Sequence, residues 1–392
     1  MSSAYVKIPE SEIRNRITNL KLQLNQDNFD GALLLSYPEL YYYSGIGLPG
    51  AVYIPAEGDS IRLVKRNPEL AKSYSPLSIQ GFGRLAKLFD TLEIKAPARI
   101  AIEADVVPFS LVVFLKSKAK DCQLDDGSLI FRQLRAVKSP YEIGVIEQAA
   151  ILVDQAFEHV TEIAIPEMTE IELAARLDGW MAENGHAGFI PTRQFGSVMI
   201  GNSYVIGSAS ATLNSDFTPI SGRGLSLKEP LGPTREKLGK EPFFIDTCGN
   251  CQGYISDTTR TFIIGQFDDE TRNQIEALQQ IKQFITTRLK PGENLGIIYH
   301  EVFDLAKELK ILNQFMGTDA DRVAFLGHGV GLEIDELPIF YAKGPDLVPG
   351  NVFASEPKLF VQDRKVLGIE DTYAITESGN TLLSKAPDYF EI

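Results

Sequence analysis

The chain has 392 residues, 44% of them hydrophobic and 23% charged, a globular composition with length enough for two domains. Its formal charge of -14 opposes nucleic acid or an anionic membrane surface as a partner. The leading MSSAYVKIPESEIRNRITNL lacks the apolar core of a signal peptide, and no apolar run reaches the roughly 18 residues that cross a bilayer. Three cysteines are too few for a disulfide framework, which predicts a reducing, cytoplasmic setting.

Residues 9–28 read as an amphipathic helix carrying Ile13, Ile17, Leu20, Leu22 and Leu24. GALLLS (31–36) and AVYIPA (51–56) read as strands, separated by the aromatic, glycine-containing YYYSGIGLPG. RIAIEAD (99–105) is a further strand and Phe109 to Lys118 a helix, so residues 1–135 are expected to form an α/β domain. Ser139-Pro140 with Glu142 starts a helix through Val145, Ile146, Ala149, Ile151 and Leu152, which opens a second domain, 136–392. TEIELAARLDGWMAENG (169–185) is its second helix, stopped by Gly185. The Gly/Ser-rich stretch from Gly196 to Gly239 reads as strand-poor and long for a connection, hence a substrate-binding or lid segment. Helices over 269–289 and 295–312 follow. Two helices and then a hairpin occur twice, a pattern of internal duplication.

The hairpins carry the chemistry. In FFIDTCGNCQGYISDTTRTF a turn around Cys251-Gln252 puts Asp246 opposite Asp257. In ASEPKLFVQDRKVLGIEDTYAIT a turn around Asp363 puts Glu356 opposite Glu370. Opposed residues share a face with Cβ atoms roughly 4.5–5.5 Å apart, and facing carboxylates repel unless a cation lies between them. A single Asp in a strand is ordinarily a turn or surface residue; two facing acidic pairs flanked by apolar segments are not explained that way. His328 joins them in GHGVGL, whose glycines let the backbone pass close to a neighbour. Four carboxylates and one imidazole form a hard donor set, which favours manganese, then cobalt, ferrous iron or zinc, over a thiolate-held structural zinc. Two such ions about 3.5–4 Å apart would activate a shared water and polarise a carbonyl, the chemistry of amide hydrolysis.

LRAVKSPYEIGVIEQAA (134–150), DTCGNCQGYISDTTRT (246–261), GHGVGLEIDELP (327–338), SEPKLF (355–360) and GIEDTYAIT (368–376) together resemble the pita-bread metallopeptidases, the family of methionine aminopeptidase, Xaa-Pro aminopeptidase, prolidase and creatinase. GALLLSYPELYYYSGIG resembles the creatinase-type N-terminal domain of the prolidase branch, so the likeness covers the whole chain. The resemblance implies an α/β creatinase-like domain followed by an α+β pita-bread domain and a homodimer. It also implies metal ligation by Asp246, Asp257, His328, Glu356 and Glu370. Asp257 and Glu370 would bridge both ions, and Glu356 would also handle the proton of the bridging water.

Three positions depart from the pattern of the proline-specific members. A histidine seven residues after the ligand histidine is replaced by Asp335, which as a carboxylate only accepts hydrogen bonds and suits a counter-ion of a substrate amine or a partner of Lys343 or Arg364. A second histidine is missing from GNSYVIGSASATLNSDF (201–217), where Asn214 and Asp216 stand near the expected place. An arginine two residues before the last glutamate is replaced by Gly368. His186 lies where the substrate segment begins and joins Asn214 as a substrate-binding candidate, whereas His159 and His300 fall on helices. Cys248-x-x-Cys251 reads as part of the hairpin turn. The sequence thus predicts a dinuclear metal-dependent hydrolase of a peptide or small amide, Xaa-Pro aminopeptidase- or dipeptidase-like, with Glu356 and Asp335 as catalytic candidates. The alternative is another enzyme, or a ligand-binding protein, on the same scaffold.

Overall fold

The structure is a computed structural model describing residues 6–392 except 93, 120, 194–202, 214–217, 229, 319 and 362–364. The chain divides into two compact units, Met1–Arg135 and Ala136–Ile392.

The first unit is a mixed six-stranded sheet in the order Ser78–Gly81, Ile61–Val64, Gly50–Pro55, Gly31–Leu34, Ala98–Ile102, Cys122–Asp126. Its first helix, Glu10–Gln26, buries Ile13, Ile17, Leu20 and Leu24, the three-and-four spacing of one helical face. Leu22 falls off that face and is exposed. Phe109–Lys118 is helical as its sequence suggests. The aromatic stretch after the first strand contains a helix that the strand pattern did not reveal, Tyr37–Ser44, opened by Pro38 in its first turn and closed by Gly45 with φ of 80°.

In the second unit a pair of helices packs on a sheet, twice. Pro140–Ile163 and Glu170–Glu183 each begin with a full capping box, Ser139 with Glu142 and Thr169 with Glu172. Their apolar faces (Val153, Phe157, Leu173, Leu177) close over Val205, Phe243, Ile245 and Phe262. That sheet runs Tyr389–Glu391, Tyr254–Ile263, Phe243–Cys251, Tyr204–Gly207. Asp268 and Asn294 cap Asp269–Arg288 and Leu295–Glu308, which bury Ile281, Ile285, Ile298 and Val302 against Leu326, Phe353 and Tyr373. The second sheet has five strands in the order Glu336–Tyr341, Phe325–Gly329, Val352–Ser355, Asp371–Thr376, Gly379–Leu382. The expectation of a strand-poor segment from 196 to 239 is corrected. Its described part holds three strands, Tyr204–Gly207, Ala211–Leu213 and Ile220–Gly222, the first of which joins the four-stranded sheet. They are too short for an alternation of apolar and polar residues to stand out.

Candidate metal centre

Phe243–Cys251 and Tyr254–Ile263 are joined by Gln252 and Gly253, both with positive φ, 53° and 88°. A two-residue hairpin turn of this hand demands that conformation, and glycine in its second place supplies it without strain. The turn sets Cys251 against Tyr254, so Asp246 pairs with Thr259, and Asp257 with Cys248. The direct Asp246–Asp257 opposition expected from a turn at Cys251-Gln252 is therefore corrected to a diagonal one. A strand repeats its face every second residue, so both carboxylates still point the same way. Cys248 is likewise a strand residue and not part of the turn. Its Sγ donates to Asp257 Oδ1 at 3.3 Å, and burial, reinforced by Asp257, pushes its thiol pKa well up.

Val352–Ser355 pairs with Asp371–Thr376, and Lys358–Phe360 with Val366–Gly368. Ser355 opposite Asp371 and Lys358 opposite Gly368 leave Glu356 and Glu370 facing each other in the break between the two ladders. The turn around Asp363 lies outside the described residues. Both glutamate amides donate to other strands, Glu356 N–H to Leu326 O at 2.9 Å and Glu370 N–H to Thr259 O at 3.0 Å. Behind them the buried Arg260 guanidinium donates to Glu370 O (2.5 Å) and Thr259 O (2.9 Å) and pairs with Asp371. These contacts hold the backbone that carries the ligands.

His328 lies on Phe325–Gly329, tightly flanked on both sides. A Cβ on Gly327 would stand 2.0 Å from Ala354 O, and one on Gly329 would stand 2.3 Å from Leu337 O, so only glycine fits at either place. His328 Nδ1 lies 3.3 Å from its acceptor, Gly329 O. With the proton there, the Nε2 lone pair faces Asp257 Oδ2 at 3.6 Å and Glu356 Oε1 at 3.8 Å.

Ligand atoms of Asp257, His328 and Glu370 lie within 4.8 Å of one another. Glu356 Oε1 and Glu370 Oε1 are buried without a hydrogen-bond partner. Burial raises the carboxyl pKa values of both Asp257 and Glu370, Asp246 adding most to the first and Asp257 to the second. Carboxylate oxygens and an imidazole nitrogen that converge this closely fit one divalent ion at this end, whose charge would relieve the repulsion that raises those pKa values.

The other end already contains a cation. Lys358 Nζ donates to Asp246 Oδ2 at 2.8 Å, Glu356 Oε2 at 2.9 Å and Thr218 Oγ1 at 3.1 Å, and lies 3.3 Å from Glu370 Oε2. Burial works against its charge, but Asp246, Glu356 and Glu370 outweigh it and hold its pKa well above the ordinary lysine range. Nothing in the sequence reading singled out Lys358. The available signal is its place two residues after Glu356, hence on the same strand face, in the apolar VFASEPKLFV where a charge needs partners.

The centre floors a cavity of about 460 Å³ whose lining includes Asp178, His186, Ile190, Asp335 and Ile339. Asp335 accepts from Thr192 Oγ1 (3.0 Å) and Arg193 N–H (2.8 Å), so it fastens one wall to another. His186 accepts from Gly188 N–H at Nδ1 (2.9 Å), which leaves Nε2 to donate to Cys248 O at 3.1 Å. Burial lowers its pKa, in keeping with this neutral form. Asn214 lies outside the described residues. Asp178, which the sequence reading passed over, accepts from Ser203 N–H and Oγ at 3.0 and 2.8 Å, and Ser203 Oγ meets Thr247 Oγ1 at 2.7 Å beside Asp246.

Among known proteins, the profile of Metallopeptidase family M24 matches residues 144–377, and that of the Creatinase/Prolidase N-terminal domain matches residues 16–137. The Xaa-Pro dipeptidase of Pyrococcus furiosus is 25% identical over 95% of this chain and 98% of its own length. That of Pyrococcus horikoshii is 26% identical over 92% and 94%. The fold is shared with the prolidase from Pyrococcus horikoshii OT3 (TM-score 0.77, 23% identity, 95% of this chain and 99% of that one). It is shared equally with the X-Pro aminopeptidase from Thermotoga maritima MSB8 (TM-score 0.78, 22% identity, 93% and 98%). The α/β sheet unit and the α+β unit with its acidic floor are thus a creatinase-type N-terminal domain and a pita-bread domain, and the chain belongs to metallopeptidase family M24.

Proposed function

We propose that this protein is a metal-dependent peptidase that hydrolyses the amide bond of a short peptide or small amide, in the manner of an Xaa-Pro dipeptidase or aminopeptidase. The carrying observation is the meeting of Asp257, His328 and Glu370 within 4.8 Å on the floor of a cavity of peptide-fragment size. The two relatives named Xaa-Pro dipeptidase support the substrate class. Residues 1–135 would then be the creatinase-like domain and residues 136–392 the catalytic domain. Manganese suits the carboxylate-rich donor set best, and the family's centres are dinuclear, which is the reason for expecting two ions on Asp246, Asp257, His328, Glu356 and Glu370. We extend the reading to a homodimer working in a reducing cytoplasm, on the analogy of the prolidase branch and the free cysteines Cys122, Cys248 and Cys251. Among the described residues no helix is long and apolar enough to cross a membrane.

A bound ion would polarise the scissile carbonyl and acidify a water. Glu356 Oε1, unpartnered and 3.8 Å from His328 Nε2, would take the proton of that water and return it to the leaving nitrogen. Ile190, Ile334 and Ile339 give the cavity an apolar wall suited to a prolyl ring or an apolar side chain. Asp335, with oxygens committed to Thr192 and Arg193, would shape the wall on which a substrate amine rests. His186 and Asn214 stay substrate-side candidates, the first as a neutral positioner of its loop. The test is hydrolysis of a dipeptide and tripeptide library by chelator-stripped protein with and without Mn2+. Metal-restored cleavage beside proline is the expected result; equal cleavage in strong chelator defeats the reading.

A further inference from the structure

The acidic floor divides into two half-sites that share both glutamates. In one, Lys358 Nζ is ringed by Asp246 Oδ2, Glu356 Oε2, Glu370 Oε2 and Thr218 Oγ1 between 2.8 and 3.3 Å, with its side chain 1% exposed. An ammonium has three N–H groups, and Asp246, Glu356 and Thr218 engage all of them. In the other half-site, Asp257 Oδ2 and Glu356 Oε1 lie near His328 Nε2, and Glu356 Oε1 and Glu370 Oε1 have no hydrogen-bond partner. Each glutamate therefore turns one oxygen to the lysine and keeps the other without a partner. A divalent ion at the Asp246 end would need those same oxygens at roughly 2.0–2.2 Å, in space that the ammonium fills.

Gly368 makes room for this arrangement. It faces Lys358 across the ribbon, and a Cβ there would lie 3.2 Å from Lys358 Cγ, 3.7 Å from Lys358 Cε and 2.8 Å from Thr259 Cγ2. The lysine stem lies along the glycine on its way to the carboxylates.

We propose that the Lys358 ammonium is a resident cation standing in the place of one metal ion, so that this chain binds a single divalent ion, held by Asp257, His328 and Glu370 with Glu356 Oε1 beside it as the proton acceptor. Asp246 then serves as counter-ion to Lys358 and not as a metal ligand. The inference rests on the metal-dependent reading above and changes its stoichiometry.

The test is a metal count on the full chain. Protein stripped with chelator is loaded with excess Mn2+, desalted, and read by elemental analysis and by electron paramagnetic resonance. The wild type is expected to keep one Mn2+ per chain with the six-line spectrum of an isolated ion. Lys358→Gly, checked for folding by circular dichroism, is expected to keep two with an exchange-coupled spectrum. Two coupled ions in the wild type overturn the proposal while leaving the metal-dependent reading intact. No retained ion overturns both. A folded Lys358→Gly that still keeps one ion also overturns it, because the lysine would not be what excludes the second. If the variant fails to fold, the wild-type count decides alone.

Discussion

The Asp257–His328 and Asp246–Lys358 ends of the centre draw on the same two glutamates yet differ in what answers their charge. At the lysine end Glu356 Oε2 accepts from Lys358 Nζ and Glu370 Oε2 accepts from Thr259 Oγ1 at 2.6 Å, so each of these oxygens meets a donor built into the chain. At the histidine end Asp257 Oδ2 and Glu356 Oε1 converge on His328 Nε2, and Glu356 Oε1 and Glu370 Oε1 are buried without partners. One half is self-sufficient; the other is incomplete as a purely protein structure. A buried acidic cluster can be supported by a covalently tethered cation or by one taken from solution, and this centre uses the first device and is shaped for the second.

The contrast yields a graded set of predictions. His328→Ala strikes only the incomplete half; loss of the ion's several kcal/mol of transition-state stabilisation should cut peptide hydrolysis roughly 10³-fold or more. Parallel assays of manganese content and turnover check this, and full activity with manganese gone would break the assignment. Lys358→Met strikes the other half. In metal-free protein it should cost about 3–5 kcal/mol of stability, the usual penalty for stranding one partner of a buried ion pair. Urea unfolding measures it, and a cost near zero would mean the carboxylates do not depend on the lysine. Added Mn2+ should recover part of that loss.

Gly368→Ala is subtler: the new methyl would crowd Thr259 Cγ2 at 2.8 Å and the lysine stem at 3.2 Å, costing about 1–3 kcal/mol by overpacking. Stability unchanged from wild type would show that the stem has room to spare. The last effect is confined to a pH window and concerns Asp178, whose carboxyl burial pushes up to about 6 from an ordinary 3.8. The folded state then holds this proton more tightly than the unfolded state, so its contribution is present below pH about 4 and declines as pH rises to about 6. Asp178→Asn should flatten that part of the stability curve, as unfolding midpoints from pH 4 to 7 would reveal; an unaltered slope would assign it to other groups.

Much of the second unit could be read from its residues because the signals were local. Ser139 with Glu142 and Thr169 with Glu172 announce their helices through a reciprocal pair of hydrogen bonds that needs no tertiary partner. The Glu356–Glu370 opposition also followed from spacing. The Asp hairpin did not, because its register hangs on which two residues take positive φ, and moving the turn by one residue moves the pairing by two. Face periodicity kept the functional inference intact despite that error. Lys358 was missed for a different reason. A lysine beside a glutamate reads as a surface ion pair until the strand is known to be buried on that face. The helix Tyr37–Ser44 was hidden because its tyrosines favour strands by propensity while packing folds them into a helix.

Glu356 and Glu370 occupy the interruption between two ladders, and their amides donate in opposite directions, one to Leu326 in the five-stranded sheet and the other to Thr259 in the four-stranded sheet. The pair is thus a mechanical rivet as well as a chemical one. Pulling the two sheets apart would separate the carboxylates, and anything that grips the carboxylates resists that opening. Occupancy of the centre should therefore be legible in the deuterium uptake of these two amides, each a few covalent bonds from the carboxylate that does the binding.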